Sequence, residues 1–271
     1  MIYNMEVSMK MTKKLTAVAA ALLVGASAFA IDGTEIMQKV YDRKKPDFTQ
    51  AAVQLTLTKD GKVEEVRNVG EYGRCKNNLT DMTMVFLSPA TVKGTRFLVK
   101  ENDGKDDDKW IYLPSLKNTR RIAASDGEKS FVGTDFSYDD MSSREVSEDT
   151  HKLLKESEDK GNFKDLYVVE SVPKDLKSSQ YSKRISWVTK DSWIPTYIEL
   201  YDKKGNLLKV NEIKSITQMK GNGAHVYNIP TENVMTNVQK NHASIMKLGG
   251  LKIDQPIADR YFTTDFLNSG K

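Results

Sequence analysis

From Ala51 the chain alternates, with Ala51, Val53, Leu55 and Leu57 apolar and Gln54, Thr56 and Thr58 polar between them. A period of two describes a strand with one face in water and one face buried. Asp60-Gly61 then supplies a hairpin turn before a second apolar-rich run, Val63 to Val69. Further strands are predicted at Asp81 to Leu87, Thr95 to Lys100, Lys109 to Leu113, Asp165 to Val172, Tyr181 to Val188, Thr196 to Tyr201 and Leu207 to Ile216. Asp103-Gly104, Lys190-Asp191 and Lys204-Gly205 mark turns between them. Strands this numerous, joined by short polar turns, predict a mainly β protein. Its architecture is an antiparallel meander, successive strands pairing, that curls into a barrel or half-barrel. In the tail, Val234 to Val238 and Ala243 to Leu248 fit strand and helix almost equally. Asn237 and Gly249-Gly250, read as turn chemistry, favour strands.

Two segments depart from this period. Asp32 and Glu35 have capping-box spacing and Ile36, Met37 and Val40 share a helical face, so a short helix opens the domain and stops before Pro46. The stretch 127–164 is polar and acidic, with a helix-compatible run from Ser147 to Ser157, and is expected to form a helical insertion over one mouth of the sheet. No internal repeat or low-complexity linker interrupts the chain.

Ahead of these elements, Lys10, Lys13 and Lys14 precede an uncharged apolar run, Leu15 to Ala30, that ends in Ala28-Phe29-Ala30. This is the pattern of a secretory signal peptide over residues 1–30, cleaved between Ala30 and Ile31, and it leaves one domain over 31–271. Met1 to Ser8 is unusual before such a leader, and Met9 and Met11 are alternative starts. Cys75 is the only cysteine, so no internal disulfide forms. It is far from the cleavage point, which predicts a free periplasmic protein and not a lipid-anchored one. The formal charge is +4; the three leader lysines against Glu6 carry two of those charges away, leaving about +2. That balance argues against nucleic-acid binding.

Candidate chemistry is sparse. His151, His225 and His242 have no ligand partners at metal spacing, so neither a metal nor a cofactor is expected. There is no G-x-S-x-G elbow, Walker loop or H-E-x-x-H helix, and Gly221-Asn-Gly223 is too short for a dinucleotide fingerprint. Asp106-Asp107-Asp108 lacks the spacing of a calcium loop and reads as a solvated hairpin tip. No catalytic residue is identified, and a non-enzymatic binding protein is the expectation.

The densest block is Lys109-Trp-Ile-Tyr-Leu-Pro-Ser-Leu-Lys-Asn-Thr-Arg-Arg-Ile122, followed by Phe131-Val-Gly-Thr-Asp-Phe-Ser-Tyr-Asp-Asp-Met141. These segments resemble the periplasmic outer-membrane lipoprotein-sorting proteins related to LolA, in the branch associated with RND-type transporters. That branch carries W-x-Y-x-P-x-x-x-x-x-R-R-I and then F-x-G-[ST]-D-F-[ST]-Y-x-D. Ser88-Pro89, Gly94 to Leu98, Ile194-Pro195 and Glu199 to Gly205 fit the same pattern, so the resemblance runs from about residue 34 to the end. It implies a curved, unclosed antiparallel barrel with a helical lid, a hydrophobic cavity for the acyl chains of a lipid or lipoprotein, and a monomer that hands cargo to an RND-type transporter or outer-membrane acceptor. An envelope sensor or adaptor using the same fold is the alternative, and an enzyme the third.

Phe97, Trp110, Tyr112, Phe131, Phe136 and Met141 are the cavity or lid candidates, with plain core packing as the competing role for each. Arg120 and Arg121 point to opposite faces of a strand. One of them is expected to pair with Asp135, Asp139 or Asp140, as a fold-locking ion pair or in headgroup recognition.

Overall fold

The computed structural model describes residues 31–271, and the expected signal peptide lies outside the described residues. The first element, α1 (Gly33–Tyr41), begins as its cap predicts: Asp32 accepts a hydrogen bond from the Glu35 amide at 2.8 Å. Glu35 does not complete the capping box but turns outward to Lys39, 3.5 Å away. Ile36 is fully buried. Gly33 has no room for a side chain, because a Cβ there would stand 2.7 Å from the backbone of Lys152 and Leu153.

Thirteen strands follow: β1 (Phe48–Lys59), β2 (Lys62–Lys76), β3 (Leu79–Ser88), β4 (Arg96–Lys100), β5 (Asp108–Leu113), β6 (Asn118–Arg121), β7 (Asp149–Lys160), β8 (Phe163–Pro173), β9 (Lys183–Val188), β10 (Pro195–Tyr201), β11 (Leu207–Lys220), β12 (Val226–Asn237) and β13 (His242–Ile253). A C-terminal helix, α2 (Thr264–Ser269), closes the chain. Asp60 and Gly61 both take positive φ, 50° and 75°, which is the turn the hairpin needs. The tail forms β12 and β13, as favoured. Gly249-Gly250 is not a turn, however; it lies within β13 beside the bulge opposite Ala52.

All thirteen strands join one antiparallel sheet in the order β6-β5-β4-β3-β2-β1-β13-β12-β11-β10-β9-β8-β7. Two meanders, β1–β6 and β7–β13, are thus welded along the β1–β13 pair, leaving β6 and β7 as free edges. Ile111 of β5 and Leu200 of β10 belong to one buried cluster. Those strands are eight positions apart in the sheet, about 38 Å if it were flat at ~4.8 Å per strand, so the sheet must roll up for them to share a core. Bulges at Gln50/Ala52, Leu57/Thr58 and Ile213/Ser215 supply local bends. The result is a curved half-barrel that never closes. Residues 32–271 form one compact unit.

The edge strands force the most consequential feature. The chain leaves β6 at one edge and must reach β7 at the other, and it does so through the rolled interior. Residues 122–148 hold three short 3-10 turns, at Ala124–Asp126, Asp139–Met141 and Val146–Glu148, and no α-helix. The helical insertion expected over 127–164 is therefore corrected: its helix-compatible run Ser147–Ser157 is mostly β7. Pairing with β8, in which Leu153 opposes Val169, overrides the helix propensity of that charged sequence. Charged side chains along a free edge also discourage pairing with another sheet.

On the outer face the C-terminal segment covers β2 to β6. Tyr261 stacks on Tyr72 at 4.4 Å between ring centroids, Thr83 donates to the Tyr261 carbonyl at 2.7 Å, and α2 lies against β4, β5 and β6. This helix has both its signals, Thr263 capping the Phe266 amide at 3.2 Å and Gly270 at φ 70°, but only six residues.

A core residue and an exposed one should separate sharply. Phe97→Ala is expected to cost about 3–5 kcal/mol in urea unfolding because Phe97 is fully buried. Leu116→Ala, at a side chain 64% exposed, should stay within about 0.5 kcal/mol.

Candidate functional site

The inner face of the sheet is apolar. Val53, Leu55, Leu57, Val69, Met84, Phe86, Phe97, Val99, Ile111, Leu200, Met235 and Met246 point into it from eight strands, and Phe131, Phe136 and Tyr138 of the crossing segment complete the same cluster. Phe131 lies 4.9 Å from Phe97 and 6.0 Å from Phe86 between ring centroids. The crossing segment thus plugs the half-barrel with its own aromatics. Met141 packs against the cluster more loosely.

A small hairpin shapes the plug, with Ser130 bridging Ser137 and the Phe131 amide bonded to the Phe136 carbonyl at 2.8 Å. At its tip Val132 adopts φ 48° and Gly133 φ 77°. Glycine tolerates that region, but a β-branched valine there is strained. The buried Arg67 holds the tip by donating from Nη1 to the Val132 carbonyl at 2.6 Å.

Carboxylates pin the rest of the plug to the inner face. Asp135 Oδ2 accepts from His242 Nδ1 at 2.6 Å and from Ser244 Oγ at 2.7 Å, both on β13. Asp139 pairs with Lys109 of β5 at 3.0 Å. Asp140 accepts from the Tyr181 hydroxyl at 3.0 Å and faces Lys209 of β11 at 3.5 Å. Burial, reinforced by Asp140, raises the Tyr181 phenol well above its usual range. The F-x-G-[ST]-D-F-[ST]-Y-x-D segment is this plug, its aromatics buried, its glycine at the turn and its two aspartates serving as pins.

Several expected placements change. Trp110 and Tyr112 are not in the inner cluster: Ile111, which alternates with them, is the inward residue. Both are half-buried, and Tyr112 lies 4.8 Å beneath the Arg96 guanidinium, which in turn donates to the Leu267 carbonyl of α2 at 2.6 Å. Neither Arg120 nor Arg121 pairs with Asp135, Asp139 or Asp140. Arg121 bridges Asp108 of its own hairpin and Arg120 faces Asp126 at 3.9 Å, because β6 is a short edge strand while the aspartates reach β5, β11 and β13. The aspartates' partners are instead Lys109, Lys209 and His242. Lys109 and Lys209 sit at inward-facing strand positions, the one signal that marked them.

The Asp135 cluster contains serine, histidine and aspartate but lacks the arrangement of an activated nucleophile. Ser244 and His242 both bond the carboxylate and not each other, so the imidazole is not placed to take the serine proton. Among the described residues no group of three metal-binding side chains converges, and no helix is long and apolar enough to cross a membrane. A polar cleft of about 1080 Å³ opens where the plug meets the loops at Asn102 and Lys177, lined by Arg144, Glu148 and Arg184 among others.

These features coincide with known proteins. A family model described as an uncharacterized-protein-like family matches residues 78–269. A structure from Vibrio parahaemolyticus, named as an outer membrane lipoprotein-sorting protein domain, is 28% identical with a TM-score of 0.78, over 87% of this chain and 98% of that one. A DUF1329 family protein from Desulfovibrio piger is 27% identical with a TM-score of 0.77, over 87% and 97%. A LolA superfamily protein from Nitrosomonas europaea shares the fold at 21% identity and a TM-score of 0.65, over 88% and 100%. No curated protein matches the chain. The chain belongs to the family whose model matches residues 78–269, and it shares its fold with the lipoprotein-sorting protein domain, the DUF1329 protein and the LolA superfamily protein.

One inner-face group has no partner in the plug. Glu71 faces inward between Ala51 and Met84, makes no ion pair among the described residues, and is pushed by desolvation up to about 7. A folded pKa above the ordinary 4.5 means that the neutral acid fits the fold better than the anion. Its contribution is therefore intact below about pH 4.5 and lost as pH rises to about 7. Glu71→Gln should leave unfolding stability nearly unchanged at pH 4.5 and raise it at pH 8 by roughly 3 kcal/mol at most. Equal effects at both values would contradict the placement.

Proposed function

We propose that this protein is a periplasmic carrier that takes up the acyl chains of a lipid or lipidated protein on the inner face of its half-barrel. The observation that carries the reading is that the inner face is apolar and is covered by a segment of the chain held at a few discrete pins. Residues 123–148 are a plug that cargo displaces. Exported by the 1–30 leader, the monomer would deliver its cargo toward the outer membrane or to an RND-type transporter.

The magnitudes permit the exchange. Burial of Phe131, Phe136 and Tyr138 stabilises the plugged form by roughly 1.5–3 kcal/mol apiece. An acyl chain of about 16 carbons gains ~0.8 kcal/mol per buried methylene, enough to replace all three. The strained Val132 lowers the cost of releasing the plug tip.

A fluorescent fatty-acid or phospholipid probe should bind the purified protein. Asp135→Ala should tighten that binding at least about tenfold, since a closed state lowers apparent affinity by its population and Asp135 is the most buried of the plug's carboxylates. Absence of probe binding in both proteins, with circular dichroism showing the sheet intact, would overturn the carrier and favour a protein-contacting adaptor.

A further inference from the structure

The inner face is not uniformly apolar. Asn211 of β11 and Asn233 of β12 each bury a side-chain carbonyl oxygen that has no hydrogen-bond partner among the described residues. Register places them together: Asn211 opposes Met235 and Ile213 opposes Asn233, so the two asparagines are diagonal neighbours across one strand pair. Both face inward, because Asn211 is also in register with Ile198 and Asn233 with Met246, residues packed in the inner cluster. An unsatisfied buried acceptor is costly and rare in folded proteins, and here two stand side by side in the wall that the plug covers.

Glu71 shares this face but stands apart from the pair, since register aligns it with Ala51 of β1 whereas Asn233 aligns through Met246 with Leu55, four residues along. The basic groups nearest in the fold are already engaged: Arg67 with Glu65 and Val132, Lys209 with Asp140 and Tyr181, and His242 with Asp135. The inner wall therefore offers two carbonyl oxygens at which none of these basic groups is directed. What it lacks is a ligand that brings donors in.

Resting on the carrier reading, we infer that the cargo is an amphiphile whose polar end donates hydrogen bonds, of the primary-ammonium class, and that the side-chain carbonyls of Asn211 and Asn233 receive it. The plugged state leaves these groups unsatisfied, and cargo satisfies them, so the same residues bias the protein toward loading and select the headgroup.

Lysophosphatidylethanolamine and lysophosphatidylcholine of one chain length isolate the feature, because they share phosphate and acyl chain and differ in whether the nitrogen carries N–H donors. In competition with a fluorescent fatty acid at submicellar concentration, the ethanolamine lipid should bind about tenfold more tightly, as expected for a hydrogen bond to a charged group. The Asn211→Leu/Asn233→Leu double variant should bring the ratio close to one while retaining the fatty-acid probe. Equal binding of the two lipids by the unaltered protein, or exclusion of both while the fatty acid binds, would overturn the headgroup inference and leave the carrier standing. Failure of the fatty acid itself to bind would overturn both.

Discussion

Everything in this molecule follows from the need to keep the inner face of an oversized sheet away from water. Thirteen strands are too many for a flat layer and too few contacts join the edges for closure, so the sheet rolls and presents a concave apolar wall. The side chains of that wall cannot fill the space they enclose. The chain solves this with its own connection from β6 to β7, which passes through the interior and lends it Phe131, Phe136 and Tyr138. A link that topology required has become the filler that the core required.

Apolar contacts hold the plug without fixing its position, and the polar pins do the latter. Asp135 is buried with both partners on β13, Asp140 sits between Tyr181 and Lys209, and Arg67 grips the carbonyl of a strained valine. Buried charged pairs contribute little net stability when intact but are costly to break one partner at a time. Such pins favour two discrete arrangements, plugged and released, over gradual loosening. Asn211 and Asn233 oppose them, since their side-chain carbonyls remain unsatisfied while the plug is in place.

How far the sequence revealed this depends on which faces of each element meet water. β1 was legible because Ala51, Val53, Leu55 and Leu57 are buried and their neighbours wet, so the period shows. β7 was not, since from Leu154 on this edge strand is largely wetted on both sides and carries no period, and its Lys and Glu residues suit a helix. The parity of Trp110 and Tyr112 was also out of reach: the pairing of Phe97 with Ile111 and Leu98 with Trp110 is set across the loop at Asp103-Gly104, and alternation alone cannot say which set turns inward. Phe131 and Phe136 were recognised through the family motif as cover for a cavity, whereas the pin partners Lys109, Lys209 and His242 come from strands distant in sequence. The plugged state itself was hidden, because the polar composition of 127–164 concealed how deeply three of its aromatics are buried.

Hydrogen exchange of residues 123–148, with and without a bound acyl ligand, tests the central claim most directly. If the plug yields its place to cargo, its amides should exchange faster in the loaded protein, while those of β1, β12 and β13 stay protected. Ligand binding that left the plug amides unchanged, or protected them further, would contradict displacement and place the cargo elsewhere on the molecule.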